Sequence, residues 1–361
     1  MRKRISAIIN KLNISIMMMI VVLMIGCGQQ PEAGKTGAAA TGGRSLSEVL
    51  MDVGKSAENA LYSFIELVSD TLGFTVTKDT KKSDVGDHFI ALGKKLGEVS
   101  KELEEVAKKS ETDVDQDGLL NKVIKEAVDA SKTTLSTLKE HLESLKGIGD
   151  DDKVGEATSN QNGVAASTDE LKGAFKALKG IVDTAGKEGV AKPKAGDTAV
   201  KIGNADNKDG AKVLAAAANA GAAVGDKAAA IVSAVSGEEM LASIVASQEG
   251  DADAALAADA TAQTSALKFA RGGGNAGQLA KEAAKAAAVA GGIALRSLVK
   301  DGKLAANNND DDKVVQAVGV TAVNKLLVAV EGIIKKTVKN VLEKAKEKMD
   351  QARTPKPTGQ Q

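Results

Sequence analysis

Cys27 is the one thiol in the chain, and it stands where a covalent step is expected. Arg2, Lys3, Arg4 and Lys11 form a basic leader, and residues 14–25 form an almost unbroken apolar run. That run is about a dozen residues, whereas a bilayer-spanning helix needs roughly 20, so residues 1–26 read as an export signal. Leu23-Met24-Ile25-Gly26-Cys27 sets one small residue directly before the thiol, the arrangement of a lipobox, with Met24 a loose match at the third position. In that chemistry a diacylglycerol alkylates the thiol, the leader is cut after Gly26, and the freed α-amine is acylated. The expectation is a lipoprotein held to a membrane through Cys27, with the Gly-rich residues 28–43 as a flexible tether spanning roughly 20–25 Å.

Other patterns carry the residue types of known chemistry without its context. Asp113-x-Asp115-x-Asp117-Gly118 copies the first half of an EF-hand calcium loop. Its twelfth position calls for a bidentate Glu and holds Ile124, so the run reads as an acidic, helix-capping turn. Gly272-x-Gly274-x-x-Gly277 spells a dinucleotide fingerprint, but the run before it, 265–270, is helix-forming and not a buried strand. Gly34-Lys35-Thr36 ends like a phosphate loop whose opening glycine is replaced by Gln29. Asp150-Asp151-Asp152-Lys153-Val154 recurs as Asp310-Asp311-Asp312-Lys313-Val314, two acidic runs that fit solvated loops or helix starts. His88 and His141, the only histidines, have no triad or zinc pattern around them and are placed at helix surfaces or flanks. With Cys27 acylated, a cysteine nucleophile, a disulfide and a Cys-ligated metal are excluded. The residues indicate no enzyme, no catalytic group, no cofactor and no metal; Cys27 is the one site residue, as an N-acyl diacylglycerol cysteine.

The elements carrying these residues read as helices. Tyr62, Phe64, Phe74, Phe89, Phe175 and Phe269 are the only aromatics and Trp is absent, so the core must be built from Leu, Val, Ile and Ala. Ala combines the best helix propensity with small volume, which favours close-packed helices. Ser45-x-x-Glu48 is a capping box opening a helix whose apolar face runs from Leu46 to Val68. Phe89, Leu92, Leu96, Val99, Leu103 and Val106 alternate by three and four, with Lys101–Glu105 and Glu104–Lys108 as expected i,i+4 pairs. Leu120, Val123, Ile124, Ala127, Leu135, Leu138, Leu142 and Leu145 mark a third helix ending near Gly147. Residues 150–166, 186–210 and 248–260 read as polar surface loops. Between and after them lie helical pieces at 167–182 (opened by Ser167-x-x-Glu170), 210–235, 238–246 and 278–300. A last, strongly patterned helix carries Val323, Leu326, Leu327, Val330, Ile334, Val338, Val341, Leu342, Ala345 and Met349. No segment reads as a strand.

The architecture expected is all-α: an elongated helical bundle whose N- and C-terminal helices pack together, with long membrane-distal loops mainly within 150–310. The chain divides into a signal peptide (1–26), a lipid-anchored tether (27–43), a helical domain (44–352) and a polar tail (353–361). Of 48 basic and 48 acidic residues, the leader holds four basic and no acidic ones, so the remainder is mildly acidic and unsuited to a nucleic-acid partner.

Residues 286–305 (AAAVAGGIALRSLVKDGKLA), with 45–50 (SLSEVL), 266–275 (ALKFARGGGN) and 332–342 (GIIKKTVKNVL), resemble the variable large proteins, which belong to the variable major protein family of Borrelia surface lipoproteins. The resemblance spans the mature chain. It implies a mostly helical outer-surface antigen with its termini at the membrane, one variant being expressed at a time so that host antibodies against one miss the next. The implied partners are the outer membrane, through the lipid on Cys27, and host antibodies. It carries over no catalytic, cofactor or metal residue. The alternative reading is a fixed adhesin for a host plasma or matrix protein.

Overall fold

The computed structural model describes residues 73–110, 119–159, 161–202, 205–308 and 310–353. The leader, Cys27, the tether, the helix expected from Ser45 and hence its packing on the last helix, the acidic turn at 113–118 and the tail beyond 353 lie outside them.

Lys82–Lys109 (α1) and Leu119–Glu143 (α2) pack as an antiparallel pair. The seam expected for α1 is buried throughout, from Phe89 to Val106, and α2 meets it with Ile124, Ala127, Leu135, Leu138 and Leu142. The chain backbones approach closely at Gly86, where a Cβ would sit 2.7 Å from the Lys146 carbonyl oxygen. Surface charges pair differently from the expectation: Lys108 reaches Glu105 at 2.8 Å, and Glu104 crosses to Lys132 of α2.

The chain continues through β1 (Ala157–Ser159), α3 (Thr168–Lys187), β2 (Lys201–Ile202), β3 (Ala205–Asp206) and a 3-10 helix at Lys208–Leu214. Then come α4 (Gly225–Ser233), α5 (Gly237–Val245), a 3-10 turn at Glu249–Ala252, α6 (Ala266–Arg271), α7 (Ala276–Leu279), α8 (Ala286–Leu298), β4 (Leu304–Ala306) and α9 (Asp311–Arg353). Helices dominate, but strands exist. β1 lies parallel to β4, with Ala157 opposite Leu304, and β2 is antiparallel to β3. Strands of two or three residues are too short for a period-2 pattern to register in sequence.

Two expectations about the middle of the chain are corrected. Residues 150–166 do not form a free surface loop. Val154 and Ala166 are fully buried, the Gly155 N–H donates to the Ser297 carbonyl at 3.2 Å, and Val164 exchanges backbone hydrogen bonds with Lys303. The Ala-rich runs are also less helical than their composition suggests. Ala216 N–H donates to the Gly273 carbonyl at 3.0 Å, and Leu256 N–H to the Gly272 carbonyl at 2.7 Å. Val200 N–H likewise bonds the Ala284 carbonyl and Ala286 N–H the Thr198 carbonyl, which holds the backbone before α8 out of the helix. Helix preference is worth less than about 1 kcal/mol per residue, so buried backbone groups that find partners elsewhere decide the conformation.

α8 and α9 organise what remains. Every residue of α8 is buried, between α6, α5, α4 and α9, and a helix apolar all round belongs inside a core. Its Gly292 lies against α6 so closely that a Cβ would fall 2.5 Å from the Phe269 Cβ. α9 has 43 residues and is long and apolar enough to cross a membrane by length and composition. Its apolar side is instead occupied by α2, α3, α4, α5 and α8. Residues 73–80 run along α9, held to it largely through their backbone. Gly73 N–H donates to Glu331 Oε2, Val76 exchanges hydrogen bonds with the Asn324 amide, and Gln316 Nε2 donates to the Lys78 carbonyl.

Candidate functional site

The residues singled out in sequence do not converge on one centre. Cys27 and Asp113, Asp115 and Asp117 lie outside the described residues. His88 is not a surface group. Its side chain is buried, stacked on Phe74 with ring centroids 4.5 Å apart, and its Nε2 lies 2.9 Å from Glu331 Oε1. His141 is half-buried under α3, where a Cβ on Gly180 would meet its ring at 2.4 Å, and burial pulls its pKa below the usual imidazole value. Each histidine sits one residue before a seam position, Phe89 and Leu142, on a flank that α9 and α3 cover.

The repeated acidic runs have different uses. In the first copy Asp150 accepts the N–H groups of Asp301 (2.8 Å) and Asp152 (3.0 Å) and lies 3.6 Å from the Nζ of Lys82, a fully buried lysine. Burial pushes Asp150 upward, but those donors outweigh it and hold the carboxyl below its ordinary range. Burial pulls Lys82 below its ordinary value against the pull of Asp150, and its ammonium donates to the Gly302 carbonyl at 2.9 Å. In the second copy it is Asp311 that works, at the start of α9. Its Oδ1 accepts from Val224 N–H (3.1 Å) and Gly225 N–H (2.9 Å), opening α4, and its Oδ2 accepts from Asn307 N–H (2.9 Å). The repeat is therefore an echo in sequence and not a repeated structural unit.

The first fingerprint glycine belongs to a packed hub around Arg296, whereas Gly274 and Gly277 are exposed. Gly272 ends α6 with φ 77°, and a Cβ there would fall 2.2 Å from the Leu214 carbonyl oxygen and 2.3 Å from Arg296 Nη2. A helix precedes the glycines, as the sequence suggested, and Gly272 makes room for a guanidinium. Arg296 is fully buried. Its Nε donates to the Ala270 carbonyl (2.5 Å), its Nη1 to those of Val164 (2.8 Å) and Lys303 (3.4 Å), and its Nη2 to that of Leu214 (3.4 Å). Burial and the neighbouring Arg271 lower its pKa to about 9, which leaves it a cation at neutral pH. Carbonyl oxygens take the place of water around the charge. Sequence reading missed Arg296 and Lys82 as structural centres. A lone charge inside the apolar run 286–299 is a usable signal for the first; Lys82 has none.

These charged groups are engaged largely by backbone, so the arrangement positions loops. Among the described residues no group of three or more His, Cys, Asp or Glu side chains gathers as metal ligands would. Three segments of the region are exposed along much of their length. Residues 191, 192, 194, 195, 197 and 198 are exposed, as are 217, 219 and 221–223, and 254, 255 and 257–259. The first of these is held at its ends, by Val190 N–H to the Ala185 carbonyl and Ala286 N–H to the Thr198 carbonyl.

A family model described as Borrelia lipoprotein matches residues 57–349. Among curated relatives, Variable large protein 25 of Borrelia hermsii is 88% identical over the whole of both chains. The chain belongs to the variable large protein family of Borrelia lipoproteins. Variable large protein 18 of the same organism is 67% identical, again over the whole of both chains. Variable large protein 12 is 29% identical and covers 100% of this chain and 96% of its own. Among solved structures, the Lyme disease variable surface antigen VlsE of Borrelia burgdorferi matches with a TM-score of 0.66 at 26% identity, covering 84% of this chain and 98% of that one. This variable large protein thus keeps its fold where only a quarter of its residues are retained, and the stretch that carried the resemblance in sequence includes α8, the most completely buried helix described.

Proposed function

We propose that this chain is a surface-exposed lipoprotein of the outer membrane, acylated at Cys27 after removal of residues 1–26, and that it serves as a serotype-determining antigen. One variant is displayed at a time and replaced by a sibling when host antibody recognises it. The observation that carries this reading is the set of full-length relatives within one organism, from 88% down to 29% identical, on a fold that persists at 26% identity. Substitution on that scale with length retained is what a displayed surface under antibody selection produces.

The physical division supports it. Side chains of α8, of the apolar face of α9 and of the α1–α2 seam are buried and intolerant of change in volume. Exposed segments at 191–198, 217–223 and 253–259 can change sequence without loss of packing. The variable segments of the 150–310 region are assigned to these exposed stretches. Lipid chains contribute about 0.8 kcal/mol per buried methylene, so several chains on Cys27 would hold the antigen to the outer leaflet. The reading assigns no catalytic step and no cofactor.

The test follows a clonal population expressing this gene, with transcripts sequenced before and after specific antibody arises. Replacement by sibling sequences supports antigen switching. Persistence of this sequence unchanged under antibody pressure overturns it.

A further inference from the structure

Asn162-Gly163 is the only Asn-Gly step in the chain. It lies between β1 and the Val164–Lys303 pairing, in the segment that sequence alone assigned to a loop. Asn162 is exposed, and among the described residues nothing hydrogen-bonds its side chain. Among those residues no carbonyl accepts the Gly163 N–H either, although the next N–H, that of Val164, donates to the Lys303 carbonyl at 3.0 Å. Glycine is also required here for packing, since a Cβ at 163 would fall 2.2 Å from the Ala215 carbonyl oxygen. The side chain that ordinarily shields the following backbone nitrogen is therefore absent for a reason unrelated to the chemistry.

We propose that Asn162 is a site of spontaneous backbone modification, converting to isoaspartate in the folded protein. The Gly163 nitrogen attacks Cγ of Asn162, forming an N–Cγ bond. The Cγ–NH2 bond breaks, and ammonia leaves with the proton from the Gly163 nitrogen. Water from solvent then opens the five-membered imide. Cleavage of its N–Cγ bond gives aspartate on the original backbone. Cleavage of the bond between nitrogen and the former backbone carbonyl carbon gives isoaspartate, with the chain routed through Cβ and Cγ. No oxidant or enzyme is needed. Both products carry a new carboxylate on an exposed turn, and isoaspartate adds a backbone methylene two residues before the carbonyl that accepts from Arg296 Nη1. A single gene copy would then display more than one surface, a consequence that rests on the antigen reading; the chemistry does not.

The experiment ages the full-length folded protein at mildly alkaline pH, followed by peptide mapping by mass spectrometry and labelling with a protein isoaspartyl methyltransferase. The expected result is an amide-to-acid mass gain and methyl labelling confined to the peptide containing residue 162, increasing with time. Asn162→Gln should abolish both without altering the circular dichroism spectrum. Asn162→Asp should carry the charge but little of the early label, separating the carboxylate from the rerouted backbone. The proposal is overturned if residue 162 stays an amide while other asparagines convert, or if conversion appears only in urea-unfolded chains.

Discussion

Replacing Arg296 with methionine would fill much of the same volume and leave the buried carbonyls of residues 214 and 270 without a donor, whereas that of residue 164 keeps the Lys303 N–H. Each unsatisfied buried acceptor costs about 1–3 kcal/mol, so a loss of roughly 2 kcal/mol or more is expected in urea denaturation. Arg296→Lys should recover little of it, because an ammonium on a flexible stem cannot span acceptors that a planar fork reaches together. A loss below about 1 kcal/mol for the methionine variant would count against the hub. At the surface, Lys212 and then Lys227 hydrogen-bond Asp209 and lower its pKa from 3.8 to about 2. The folded value lies below the unfolded one, so this contribution is present above about pH 4 and is lost as pH falls toward 2. The pair is partly exposed and worth no more than about 1 kcal/mol. Asp209→Asn should flatten that part of an acid titration of stability and leave the neutral-pH melting point within a degree or so of the parent.

At the scale of elements, two glycines of α9 should respond in opposite senses. A Cβ at Gly319 would lie 2.6 Å from the Gly155 Cα and 2.6 Å from the Ser297 Oγ, so Gly319→Ala must push α9 away from α8 and β1. Overpacking of this kind costs about 1–3 kcal/mol. Nothing lies within 4 Å of the same position at Gly332, so Gly332→Ala should stabilise by about 0.5–1 kcal/mol through helix propensity. Thermal melts of the two variants check both signs. The helices were legible wherever a 3–4 apolar spacing ran for several turns, as in α1, α2 and α9, because such a seam fixes both period and buried face. Ser167 does open α3, but its hydroxyl meets the Glu170 carboxylate and not the N3 backbone N–H that the capping-box reading implied. Ser236–Glu239, which does form the reciprocal box at the start of α5, was not singled out. Illegible elements were those set by non-local backbone pairing: the bridge from Ala215 to Gly273, the bond from Val200 to Ala284, and the parallel β1–β4 pair. No local pattern encodes a partner some fifty to one hundred and fifty residues away.

For the molecule as a whole, the corrected status of residues 150–166 changes which exchanges between siblings should be tolerated. Exchanging 191–198 for the corresponding segment of a distant relative should leave helicity and melting temperature unaltered. Exchanging 150–166 alone should lower both, because that stretch pairs with 303–306, meets Arg296 and anchors Asp150 to Asp301. Bringing 301–306 from the same donor should restore them, the signature of coupled sites. Circular dichroism and melting of the three chimeras decide it; full tolerance of the 150–166 exchange by itself would remove the coupling.

Arg296 also sets an order in time. The α1–α2 pair closes within residues 82–143 and can form as soon as they are released. Residues 164, 214 and 270 cannot reach their common donor until residue 296 has followed them, and the pairing of Val164 must wait for Lys303. A chain made from its N-terminus therefore carries residues 164–270 in an unfinished state longer than the α1–α2 pair. The stretch that holds the exposed segments 191–198, 217–223 and 253–259 is thus secured late, by a side chain that follows it in the chain.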